Sequence, residues 1–291
     1  MGYLIVGFQN TGTFCYLNSV IQLLLCATAF NEYIHYFCSV ETRDVILQFV
    51  SNRYPNRLEE YTHKCDLLFL YHMLLRLLRH EESSAETRIL ERSEGGPVDL
   101  NMERFLIVLN RIRPLERFAQ HDVYEVFNLF LTCFQEVMFE LTQSSNDIKN
   151  CVIHPDNSFQ GKQRISHECQ KCGVVSSRNE IFNDLSCVIF NNNLESSILN
   201  EFKPEDIDDF QCDACKSSSR CTRKRIITEY PKYLVIHLHR NQFEQGKNQD
   251  DITHVPVLRF NAEQQFKFKG AIEHRSEERR VVKACRSRWS P

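Results

Sequence analysis

Two cysteine pairs, Cys169-Gln170-Lys171-Cys172 and Cys212-Asp213-Ala214-Cys215, constrain this chain more than any other feature. Each knuckle offers two thiolates, and two knuckles complete a tetrahedral set of the kind that holds structural zinc. Their separation is longer than in a compact zinc ribbon. A chain that leaves the first pair and returns on extended strands could still bring the two pairs together. Cys221 lies close enough in sequence to be an alternative ligand. The competing reading is four ordinary reduced thiols. A closed, structural Zn2+ site is expected, with no metal in the chemistry. The thirteen cysteines are an odd number, which argues against a complete disulfide framework. Met1–Val6 lacks the basic start and the length of a signal peptide. Reduced cysteines and a cytoplasmic or nuclear setting are expected.

A different cysteine, Cys15, stands after Gly7 and Gly12 and opens an apolar run. From Leu17 to Phe30 that run carries Val20, Ile21, Leu23, Leu24, Leu25 and Ala27, which reads as one largely buried helix. The glycines permit a turn that presents Cys15 at the helix start. There the positive end of the helix dipole favours thiolate. Asn10 can supply an amide donor to a developing oxyanion. The alternative is a structural cysteine buried before a core helix.

The chain then reads mainly helical from Asn31 to Glu140. Asp66–His80 carries a broad leucine face, and Asn101–Ile112 and His121–Leu141 repeat apolar residues at helical spacing. Glu81–Val98 is polar and nearly ends in Gly95-Gly96-Pro97, a loop signature. Gln120 and Asp122 fall at the expected start of the last of these helices, where a carboxylate serves as a cap. Beyond Ser144 the pattern becomes extended. Asn191–Asn193, Ser196 and Ser197 belong to a polar connection between the two knuckles. Tyr233–Leu238 alternates as a strand covered on both faces, with His237 and His239 as structural members. Val255–Phe260 and Phe266–His274 read as two more strands.

Composition excludes some functions. The formal net charge of −3 does not suggest a general nucleic-acid or acidic-membrane binder. No apolar run is long enough to span a bilayer. Lys216, Arg220, Arg223, Lys224 and Arg225 cluster near the second knuckle, and a zinc-dependent nucleic-acid module is the reading they would support.

In order along the chain, these motifs resemble those of the ubiquitin-specific proteases. Gly7, Asn10, Gly12, Cys15, Tyr16, Asn18, Ser19 and Gln22 match the family's cysteine box, from which Phe8, Thr13, Phe14 and Leu17 depart. Gln120, Asp122 and Glu125 match its second box. The block from Cys169 to Leu185 is similar to its fingers region, and Pro231–Arg240 to a later strand. The resemblance implies a papain-like α+β fold with a helical thumb, zinc-bearing β fingers and an incomplete β palm. It implies a single catalytic domain over 1–291, C-terminally incomplete, with 1–150 thumb-like, 151–225 fingers-like and 226–291 a partial palm. The implied activity is hydrolysis after the C-terminal glycine of ubiquitin, with ubiquitin and ubiquitinated proteins as partners. Cys15 would be the nucleophile, Asn10 the oxyanion donor, Gln120 and Asp122 the holders of ubiquitin's tail. Cys169, Cys172, Cys212 and Cys215 would hold Zn2+.

The resemblance ends at His274, which matches a non-catalytic histidine of the family. A cysteine nucleophile needs a base and a group to orient it. No histidine, aspartate or asparagine follows His274. Three explanations compete: an altered or truncated copy, an inactive ubiquitin-binding relative, or His274 substituting as base.

Overall fold

In the computed structural model of the chain, the apolar run after Cys15 folds as two helices, α1 (Cys15–Leu25) and α2 (Thr28–Phe37). The expected single helix breaks at Ala27, whose φ of −87° and ψ of 72° leave the helical region. No glycine or proline marks the break. Its cause is Asn31, fully buried on α2. The Asn31 Nδ2 donates to the Leu25 carbonyl at 2.9 Å, one of the groups a helix end leaves unpaired. Asn31 Oδ1 in turn accepts from the Tyr71 hydroxyl at 2.8 Å. The kink is thus held by a hydrogen-bonded chain reaching a third helix.

The structure describes residues 15–38, 40–79, 102–114, 122–144, 158–239, 241–242, 246–247, 252–254, 256–260 and 264–267. They divide between two units, one within residues 1–155 and one within 156–268.

The first unit continues with α3 (Val40–Arg53), a 3-10 turn (Pro55–Arg57), α4 (Leu58–Leu78), α5 (Glu103–Ile112) and α6 (Val123–Ser144). Its core joins Leu17, Ile21 and Leu24 of α1 to Leu67, Leu74 and Leu75 of α4 and Phe130, Phe134 and Val137 of α6, all buried. Each such side chain contributes roughly 1.5–3 kcal/mol when removed from water. Phe30 meets Phe134 edge-on at 4.8 Å, a favoured aromatic geometry. The α4 helix begins before the leucine face that predicts it, because its first turns bury charge instead. Lys64 is 6% exposed and forms ion pairs with Glu60 of its own helix and Glu136 of α6. The Tyr61 hydroxyl donates to buried Glu140 at 3.3 Å. Apolar periodicity cannot register a buried lysine satisfied this way.

The second unit contains β1 (Gly161–Cys169), β2 (Val175–Phe182), β3 (Leu185–Val188), α7 (Leu194–Glu201), β4 (Glu205–Gln211) and β5 (Ser218–Glu229). There follow β6 (Ile236–His239), β7 (Asn241–Gln242), β8 (Gly246–Lys247), β9 (Val257–Arg259) and β10 (Gln265–Lys267). Four strands form an antiparallel sheet in the order β2-β1-β5-β4. A Cβ at Gly161 would run into the Phe182 ring, so only glycine allows that approach. β3 pairs in parallel with β6, Leu185 opposite Ile236, and the connection between them includes α7. Ile198 of α7 packs with Phe182, Leu185 and Cys187 as the unit's buried cluster.

Two expectations change here. The polar connection between the knuckles contains the helix α7, started by Asn193, whose side chain accepts from the Ser196 N–H at 2.8 Å. The strand expected over Tyr233–Leu238 is confined to β6 and is half-buried rather than covered on both faces. His237 and His239 sit on that strand with their rings 4.5 Å apart. Of the expected pair of later strands, the described residues hold β9 and β10, which are antiparallel, while Val255 and residues 268–274 lie outside them.

His72 of α4 is 6% exposed and stands edge-on to His35 of α2 at 5.5 Å. Burial first, then His35, Arg76 and Arg79, push its imidazole down from 6.5 to about 4. The neutral ring is the folded form, while the unfolded chain protonates it below 6.5. This contribution to stability is complete above pH 6.5 and is lost as pH falls toward 4, with a slope approaching about 1.4 kcal/mol per pH unit. Denaturant midpoints at pH 7 and pH 5 should therefore differ less in His72→Gln than in the parent. Equal differences would contradict the assignment.

Candidate active site and metal centre

Cys15 is the first residue of α1 and is partly exposed, above buried Tyr16 and Leu17. Among the described residues α1 begins at Cys15, and Gly7 and Gly12, on which the expected turn rests, lie outside them. Burial, and after it the proximity of Cys15, raises the pKa of the Tyr16 hydroxyl and disfavours its ionisation. Cys26 is also partly exposed and donates its thiol to the Gln22 carbonyl at 3.2 Å, whereas Cys38, Cys65 and Cys133 are buried. Burial pushes Cys65 and Cys133 up to about 12, and Cys38 higher still. Buried thiols of that kind are inert. Asn10, Gln120 and His274 lie outside the described residues.

Asp122 precedes α6. Its Oδ1 accepts from the Tyr124 N–H at 2.8 Å, and its carbonyl accepts from the Val126 N–H at 3.2 Å. It is the N-cap of the helix, as its position in the sequence suggests, and it is exposed.

The two Cys-x-x-Cys pairs meet. The sulfurs of Cys169, Cys172, Cys212 and Cys215 all lie within 4.8 Å of one another. Ligands about 2.3 Å from a tetrahedral zinc lie about 3.8 Å apart, and Cys172 Sγ and Cys212 Sγ are 3.6 Å apart. The donor set and its spacing fit one metal ion. Cys221 is not part of the group: it lies across from Cys169 in the β1–β5 pairing and is fully buried. Among the described residues this is the single group of three or more metal-ligand side chains that close together.

Both knuckles use one backbone device. Gly173 N–H donates to the Cys169 carbonyl at 2.8 Å, and Lys216 N–H donates to the Cys212 carbonyl at 2.8 Å. Cys169 N–H donates to the Val174 carbonyl, and Cys212 N–H to the Ser217 carbonyl. The turn needs a left-handed residue, with φ of 71° at Gly173 and 52° at Lys216. Glycine takes that conformation freely, whereas lysine holds it under strain.

Sequence reasoning missed two hydroxyls beside the cluster. Ser219 Oγ is 3.2 Å from Cys169 Sγ, and Ser217 Oγ is 2.9 Å from Cys215 Sγ. The signal was present as serines at alternate positions after the second knuckle. The Ser219 hydroxyl, and next the Cys172 backbone, hold the Cys169 thiol down to about 6, in the direction of the thiolate that a metal requires.

The basic run near this centre is already matched. Arg220 pairs with Asp208 at 2.8 Å, Lys224 with Glu168 at 3.4 Å, Arg225 with Glu201 at 2.5 Å and Lys216 with Asp213 at 3.6 Å. Arg223 pairs with Glu205. Acidic β4 beside basic β5 supplies two of these partners, Asp208 and Glu205. Such a face presents little uncompensated positive charge to phosphates. Among the described residues no helix is long and apolar enough to cross a membrane.

The pattern of the family described as ubiquitin carboxyl-terminal hydrolase matches residues 6–278. Ubiquitin carboxyl-terminal hydrolase 4 of Arabidopsis thaliana is 27% identical over 266 residues, 81% of this chain and 65% of that protein. The probable ubiquitin carboxyl-terminal hydrolase 9 of Schizosaccharomyces pombe is 31% identical over 157 residues, 51% of this chain and 26% of that protein. The chain thus spans between about a quarter and two-thirds of the length of these relatives. Among solved structures, the SAGA Ubp8/Sgf11/Sus1/Sgf73 DUB module bound to ubiquitin aldehyde contains a similar fold. The TM-score is 0.59 at 19% identity, covering 87% of this chain and 52% of that one. With Cys15 opening α1 and Asp122 capping α6 inside the matched span, the chain belongs to the ubiquitin carboxyl-terminal hydrolase family.

Proposed function

We propose that this chain is a deubiquitinating thiol hydrolase that cleaves the bond after the C-terminal glycine of ubiquitin. The observation that carries the reading is a partly exposed Cys15 at the first turn of a buried helix, inside the family match. In this reading Cys15 gives its proton to a base, for which His274 is the sequence's candidate, and the thiolate attacks the glycine carbonyl. Asn10 and backbone N–H groups stabilise the tetrahedral oxyanion. The amine leaves with the proton, and water then hydrolyses the acyl-thioester and frees Cys15. Residues 1–150 act as thumb and 151–225 as fingers, and 226–291 belong to the palm.

The four clustered cysteines hold Zn2+ in a closed site. The metal ties the sheet together and supplies no step of the reaction. Gln120 and Asp122 hold ubiquitin's basic tail. Asp122 can do so while capping α6, because a carboxylate has lone pairs beyond the one its Oδ1 gives to Tyr124.

Release of a fluorophore from the ubiquitin C-terminus should occur with the parent and vanish in Cys15→Ala. Binding of ubiquitin without any release would establish the non-catalytic alternative instead. Metal analysis of protein purified without chelator should find one zinc per chain, retained in Cys221→Ser and lost in Cys172→Ser. The reverse pattern would place Cys221 in the site. At Asp122, loss of the cap in Asp122→Ala should cost about 1 kcal/mol in denaturant unfolding, whereas Asp122→Asn keeps the cap. Asp122→Asn should nonetheless raise KM for ubiquitin substrates. A parental KM in Asp122→Asn would reduce this residue to a cap.

A further inference from the structure

The cluster is asymmetric in a way its four ligands alone do not explain. Ser217 and Ser219 stand two apart on the backbone that leads into β5, so both hydroxyls reach the same side. That side holds the sulfurs: Ser217 Oγ lies 2.9 Å from Cys215 Sγ and Ser219 Oγ lies 3.2 Å from Cys169 Sγ. Ser218, between them, is exposed. A metal-bound cysteine is a thiolate and has no proton to give, so in each contact the hydroxyl is the donor. Each knuckle therefore has one sulfur that accepts a side-chain hydroxyl, Cys169 in the first and Cys215 in the second. The remaining two, Cys172 and Cys212, face each other at 3.6 Å.

We propose that Ser217 and Ser219 are positioning residues of the metal centre, whose hydroxyls donate to the Cys215 and Cys169 thiolates and thereby tighten metal binding. The inference rests on the reading of these cysteines as a zinc site. Four thiolates around one divalent ion leave a net charge of −2. Hydroxyl donors draw density from two of the sulfurs and stabilise that excess charge. They also fix the rotamers of Cys169 and Cys215, so less freedom is lost when the metal binds. Both donors come from one strand entry, which couples the knuckle turn at Cys212–Cys215 to the end of β1 that carries Cys169. The hydroxyl is what matters: alanine removes the donor, while threonine keeps it.

The test uses the full chain, zinc in competition with a chromophoric chelator, and Co2+ as a spectroscopic substitute. Ser219→Ala should weaken zinc binding about tenfold, the lower end of the range for outer-shell partners. Ser219→Thr should restore it, and Ser218→Ala should bind as the parent does. In the Co2+ form of Ser219→Ala, the sulfur-to-metal charge-transfer band should move to lower energy, because an undonated thiolate is the more easily oxidised ligand. The d–d bands should remain tetrahedral, which shows that the site still forms. Zinc affinity within about twofold of the parent and an unmoved band would overturn the proposal while leaving the zinc site intact. A parent chain that binds neither metal would overturn the zinc reading itself.

Discussion

Four sulfurs within 4.8 Å of one another join two chain segments whose nearest cysteines stand 40 positions apart. Thiolates so close repel one another unless a cation stands among them. Much of the second unit follows from this closure. The chain must leave Cys172 and come back to Cys212, and it does so through β2, β3, α7 and β4. Cys169 ends β1, the partner of β5, and Cys212 follows β4, the other partner of β5. The central strand β5 thus faces a metal-ligand segment on either side. Both knuckles then repeat the same left-handed turn, in one case at the expense of strain in Lys216.

The elements written in regular patterns were legible before the structure. The leucine face of α4, the helix begun by Cys15, the cap at Asp122 and the pairing of the two knuckles all follow from periodicity or from spacing. What escaped was decided by side chains acting across distance. The break between α1 and α2 depends on Asn31 reaching both Leu25 and Tyr71. The early start of α4 depends on Lys64 finding Glu136 on another helix. Helix α7 hides in a serine- and asparagine-rich stretch, where the same residues that suggest a loop serve as Asn193 does, as a cap. The second-knuckle serines look like ordinary turn residues until the strand places them beside sulfur.

The chemistry of the cysteines separates along the same line. Cys38, Cys65, Cys133 and Cys187 are buried and held well above the usual thiol range, which suits packing. The four knuckle cysteines are committed to one another. Cys15 alone among these described positions combines partial exposure with a helix start and the family's cysteine box. Its neighbour Phe14 departs from the cysteine box that the sequence resembles.

The central claim is that Cys15 is the residue that meets the ubiquitin C-terminus. Reaction of the full chain with ubiquitin bearing a C-terminal electrophile, followed by mass mapping of the adduct, tests it most directly. The account predicts a single adduct on Cys15, formed without loss of the metal. An adduct on a knuckle cysteine, or no adduct under conditions in which ubiquitin binds, would contradict it.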